Sequence, residues 1–242
     1  MLKTAALLLS LLLVSAISAF GQYREFTGKD GRTMMAKPVN VVGAQIRIER
    51  EDGMEFNVSP EIFSEEDQKF LKRWLLDFLV DQKRLFDIST KRSHGKKKKT
   101  KTDSYSREYE IYRWLSGYQI DLRNKSDITF NNIRIDYVKF VFRDASPSIS
   151  GDDEHTEKVS GKIELPLLRP NATVELATHG VEMEEIEYDL KSGWYTPGKV
   201  DTRIEDKLEG IMMRIYVDDY LVASYSDPST LAEKISWKEA NR

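Results

Sequence analysis

The 242-residue chain has a formal net charge of -3. That balance excludes a general nucleic-acid binder, which needs a basic surface to neutralise phosphates. A hydrophobic fraction of 40% supports globular cores, while the absence of cysteine excludes disulfide staples, thiol nucleophiles and cysteine-based metal sites.

Lys3 followed by the apolar run at residues 5–14 has the form of a secretory signal peptide, with Ala19 and Gly21 spaced for cleavage before Gln22. The run is short for a membrane span, which needs ~20 apolar residues. Residues 1–21 are therefore expected to be removed and the mature chain exported, to the periplasm or the medium. Stability must then come from packing alone.

Residues 23–27 read as a short strand, and the GKDG sequence at 28–31 as a turn. From Thr33 the pattern alternates, with Met34, Ala36 and Pro38 opposite Met35 and Lys37; Pro38 lacks an N–H and marks an edge or a bulge. Ile46 and Ile48 alternate with Arg47 and Glu49, and Asp52-Gly53 signals a hairpin into Met54, Phe56 and Val58. These segments make a small barrel over 22–63, which buries too little surface to stand comfortably alone. Ser64 and Asp67 then form a capping-box-like start. Phe70, Leu71, Trp74, Leu75, Phe78 and Leu79 recur at helical spacing, so the expectation is one long amphipathic helix over 64–90 that packs on the barrel, with Trp74 in the core.

Taken together, GKDGRT, the strand at 46–50, EDGMEF and SEEDQKFL resemble the Sla-type homology domain over about residues 24–71. That family takes its name from a yeast endocytic adaptor, and similar segments follow signal peptides in bacterial proteins. The resemblance implies an SH3-like barrel, and in the adaptor the domain binds short Asn-Pro-Phe peptides.

The stretch KRSHGKKKKTK at 91–101 holds seven basic residues and no acidic one. Charge repulsion predicts an extended, solvated basic linker over 91–104. Lys96, Lys97, Lys98 and Lys99 are the candidates for contact with an anionic membrane surface or envelope polymer.

Beyond it, residues 105–242 read as a β-sandwich. Tyr118, Ile120 and Leu122 alternate with polar residues, and a turn follows at 124–127. Ile133, Ile135 and Tyr137 share one face before Val138, Phe140 and Phe142 take over, which requires either a bulge near Tyr137 or burial on both faces. Ile163, Leu165, Val174 and Leu176 continue the alternation; Ile211, Met213, Ile215 and Val217 form an inward face, and Asp227-Pro228 reads as a helix start. The spacing of strands and turns is that of an immunoglobulin- or fibronectin-like sandwich, and LRNKSDITFNNIRIDY resembles strand pairs of such domains in exported bacterial proteins. The fold class expected is mainly β, a barrel plus one long helix followed by a sandwich.

Catalytic chemistry finds little support. His94, His155 and His179 stand at no metal-ligand spacing, residues 152–155 lack the calcium-loop pattern, and no serine lies in G-x-S-x-G. Glu182, Glu184, Glu187 and Asp189 would serve a hydrolase only if at least two converged in a concave pocket. No enzyme activity, cofactor or metal is expected. The reading is an exported binding or scaffold protein of the cell envelope, working through protein or peptide contacts. The alternative is carbohydrate binding by the sandwich, with Trp194 and Tyr195 as a stacking platform.

Overall fold

A computed structural model describes residues 22–104, 107–144, 153–190 and 203–241. The chain divides into two compact units, Met1–Phe78 and Leu79–Arg242.

In the first unit, β1 (Arg24–Thr27), β2 (Thr33–Val42), β3 (Gln45–Arg50) and β4 (Glu55–Val58) form an antiparallel meander in sequence order. Gly53, at φ 82°, supplies the left-handed turn conformation between β3 and β4. The register of β2 against β3 shifts between Pro38 and Asn40, so Pro38 marks a bulge in a central strand rather than an edge. After β4 a single 3-10 turn, Pro60–Ile62, brings the chain back to β1. There Gly28 bridges to Phe63, Lys29 N donates to Ile62 O at 2.9 Å, and Ser64 N donates to Thr27 O at 2.8 Å.

The helix α1 (Glu65–Asp81) begins here. Ser64 Oγ accepts from Asp67 N at 3.3 Å and donates to Asp67 Oδ2 at 3.0 Å. The buried Asp67 carboxylate also accepts from Thr27 N at 2.8 Å and from Arg24 at 2.7 Å, which ties the first helical turn to β1. Leu71 and Trp74 complete a core with Phe26, Ala36, Ile46, Ile48 and Phe63, and Phe70, Leu75 and Phe78 pack against it. Trp74 is thus a core residue. The helix is shorter than the one expected over 64–90: it stops at Asp81, where Lys83 takes a positive φ and Arg84 N bonds Leu79 O.

The stretch expected as a linker over 91–104 is part of a sheet. β5 (Phe86–His94) and β6 (Lys98–Asp103) both pair with β7 (Arg107–Asn124), which at 18 residues is long enough to receive them end to end. On its other side β7 carries β10 (Thr173–Ala177) and β11 (Val181–Leu190), and β12 (Arg203–Glu205) flanks β11. The second sheet runs in the order β14 (Tyr220–Asp227), β13 (Lys207–Val217), β8 (Phe130–Arg143), β9 (His155–Leu168).

The two sheets enclose Tyr118, Ile120 and Leu122 from one side and Ile133, Ile135, Ile211, Met213 and Ile215 from the other, all essentially inaccessible. The phase change in β8 comes from burial on both faces. Its pairings with β9 and β13 run without a break through Tyr137, Val138 and Lys139, while Val138, Phe140 and Met212 form an outer cluster under Leu231, Ile235, Trp237 and Ala240. Those residues belong to α2 (Leu231–Lys234), its C-cap and α3 (Trp237–Ala240). The helix start expected at Asp227 lies instead at Thr230; Asp227 ends β14 and accepts from Thr90 Oγ1 at 2.7 Å.

Candidate binding cleft and the lysine-bearing sheet face

The turn at residues 28–31 and the 3-10 turn at 60–62 stand beside one another because Lys29 N donates to Ile62 O and Ser64 N, just past the second turn, donates to Thr27 O at the end of β1. Between them lies a cleft of about 550 Å³. Phe26, Met34, Ile62 and Phe63 supply its apolar lining, and Lys29, Asp30, Arg32 and Glu61 its charged rim. Ile62 is half exposed, whereas Phe26 and Phe63 are buried and in ring contact at 5.3 Å, so the floor is fixed and its edge is accessible. Asp30 accepts from Arg32 N at 3.1 Å and lies 3.4 Å from Arg32 Nε, which holds the rim turn in shape. No residue of α1 lines the cleft.

In the second unit, antiparallel register places Lys99 and Lys101 on the same face as Tyr112, Glu110 and Glu108 of β7 and Glu185, Glu187 and Asp189 of β11. Lys99 lies 2.5 Å and Lys101 2.7 Å from Glu110, and Tyr112 donates to Glu110 at 2.8 Å. Hydrogen bonds from Lys101, Lys99 and Tyr112 hold the Glu110 carboxyl down at about 2. Lys97 pairs with the buried Glu185 and stands 4.3 Å over the Trp114 ring; Arg203 reaches the same carboxylate at 2.6 Å.

Of the four lysines expected to meet anions, two therefore hold acidic partners within the sheet. Lys96 and Lys98 form no ion pair among the described residues. Trp194 and Tyr195 lie outside the described residues.

A second cleft, of about 480 Å³, opens on this face, lined by Lys101, Glu108, Glu110, Glu187, Tyr188, Asp189 and Arg203. Glu187 and Asp189 do come together there, whereas Glu182 and Glu184 do not line it. Glycoside hydrolysis needs one carboxylic acid that keeps its proton until the leaving group takes it. The convergence that such chemistry requires is met by Glu187 and Asp189, while Glu110, held low by Lys101 and Lys99, is not the group that keeps the proton.

Two arrangements escaped the sequence reading. Ser116 Oγ lies 2.8 Å from His94 Nδ1 and accepts from Trp114 Nε1 at 2.9 Å, but no carboxylate orients His94 among the described residues. Lys139 is fully buried between the sheets, its ammonium donating to His179 O beside the Tyr137 ring. Burial pushes the amine down to about 8. Tyr137 Oη is 3.0 Å from His179 Nδ1 and accepts from His179 N at 3.0 Å. Among the described residues no group of three or more metal-ligating side chains is assembled. The chain matches no protein-family model and no curated protein.

Proposed function

We propose that the chain is an exported, non-enzymatic binding or scaffold protein of the cell envelope, and that it holds a segment of a protein partner in the cleft between the 28–31 turn and the 3-10 turn. The carrying observation is the cleft of about 550 Å³, with an apolar floor, a rim bearing both signs of charge, and no lining contributed by α1. A concave apolar floor receives a side chain of an extended segment, while rim charges fix its direction. The same stretch of chain carries the segments that resemble the Sla-type homology domain, and the return of Phe63 to Gly28 after four strands is compatible with an SH3-like barrel.

The test is affinity capture from an envelope extract with the full chain and with Ile62→Glu. Ile62 is 50% exposed, so the substitution should leave the thermal melt nearly unchanged. A bound partner should weaken by about tenfold or more, since a charge replaces the apolar lip of the cleft. A set of captured proteins identical for both forms, or none for either, would defeat the proposal.

A further inference from the structure

The geometry points to β9 as a surface through which two copies of this chain pair, strand against strand. β9 is the outermost strand of its sheet and runs for 14 residues. On one side it is bonded to β8 from His155 to Leu168; on the other, among the described residues, its backbone N–H and C=O groups meet no backbone partner. A long unpaired row of this kind is a template for another strand. Val159, Ile163 and Leu165 remain only half-buried at the lip of the inter-sheet core, so a strand added beside them would extend that core.

The occupant is identified by the charges along β9 itself. In an antiparallel pair of identical strands related by a two-fold axis through Gly161, Lys158 of each copy faces Glu164 of the other. Val159 faces Ile163, and Ser160 faces Lys162. Opposite charges and apolar groups then stand directly across from one another, the arrangement that stabilises cross-strand pairs. Moving the axis by one residue to Ser160 sets Lys158 against Lys162, and moving it to Lys162 sets that lysine against its own copy. Both neighbouring registers therefore oppose like charges.

Gly161 suits the axis for a second reason. Tyr137 lies across it so closely that a Cβ built there would stand 2.3 Å from the ring, so the strand carries no side chain at its centre. Pro166, which has no N–H to offer, faces Thr156 and limits the ladder near its ends.

Sedimentation equilibrium of the mature protein, without residues 1–21, tests the pairing with the variants Lys158→Glu and Glu164→Lys. The wild type should dimerise, and each variant alone should associate about tenfold more weakly, because two attractive pairs become repulsive. An equimolar mixture of the two variants should recover wild-type affinity. In the mixed dimer the introduced carboxylate of one copy faces the introduced ammonium of the other, and the second pair keeps its native lysine and glutamate. Recovery also separates pairing from the bond between Lys158 and the Glu239 carbonyl, which mixing cannot restore. The proposal is overturned by a wild type that stays monomeric at concentrations on the order of 100 µM. It is equally overturned by variants that associate as the wild type does, or by a mixture no tighter than its components. The cleft proposed as the partner site lies elsewhere in the chain, so either result leaves that proposal standing or falling by its own test.

Discussion

Lys139 shows how a single side chain can be misread from its neighbours. Between Val138 and Phe140 it has the look of the solvent-facing position in an alternating strand. Both faces of the strand are in fact buried: α2 and α3 cover Val138 and Phe140 on the outer face, and Lys139 lies on the opposite face, between the sheets. Local alternation cannot reveal which face a later segment will cover. Its ammonium is charged in the folded state only below about 8, against an ordinary value of 10.5. The folded state therefore bears the full cost of that buried charge below pH 8 and is relieved of it as pH rises toward 10.5. Replacing Lys139 by Met should stabilise the protein by roughly 1–3 kcal/mol at pH 7, and the advantage should shrink between pH 8 and 10.5. Urea denaturation of both forms at pH 7 and pH 10 measures this; a difference independent of pH would mean that the charge is not felt. By contrast, Tyr118, Ile120 and Leu122 were legible, because the face opposite them carries Gln119, Asp121 and Arg123 and stays open or half-open.

At the level of elements, the basic stretch was the least legible. A count of local charge sees only repulsion among its lysines. The groups that neutralise them, Glu108, Glu110 and Glu185, arrive from β7 and β11, and only strand register brings them across. Glu110 is the hinge of this exchange, held at about 2 against an ordinary 4.5 by Lys101 and Lys99. A depressed carboxyl contributes stability above its unfolded value and loses it as pH falls toward the folded one, so β6 should loosen between pH 4.5 and 2. Hydrogen exchange should show β6 amides losing protection across that window in the wild type. In Glu110→Gln they should already be poorly protected at pH 7 and change little on acidification. Equal protection in the two proteins at pH 7 would show that the lysines do not depend on Glu110. The helix was legible in kind, through the spacing of Phe70, Leu71, Trp74 and Phe78, but not in length. Periodicity does not foresee the turn at Lys83 and Arg84 that redirects the chain into β5.

For the molecule as a whole, the mainly β class was readable from alternation and turn spacing, and it holds. The division falls between Phe78 and Leu79, inside α1 rather than beyond it. The candidate cleft was not legible, because it depends on the bonds that join residues 27–29 to residues 62–64 across four strands. The outer cluster of Val138, Phe140 and Met212 also has a global role. Deleting the chain from Pro228 onward removes Leu231, Ile235 and Trp237 from that face, which should cost about 3 kcal/mol or more and raise binding of a hydrophobic dye. A truncated protein with the wild-type melt and no dye binding would show that the helices are dispensable. The same cover also makes one exposed peptide bond consequential. Lys234 is exposed, and a cut after it would sever Ile235, Trp237 and Ala240 from the sheet face they protect. A single proteolytic nick there would thus bare a surface that the intact chain hides.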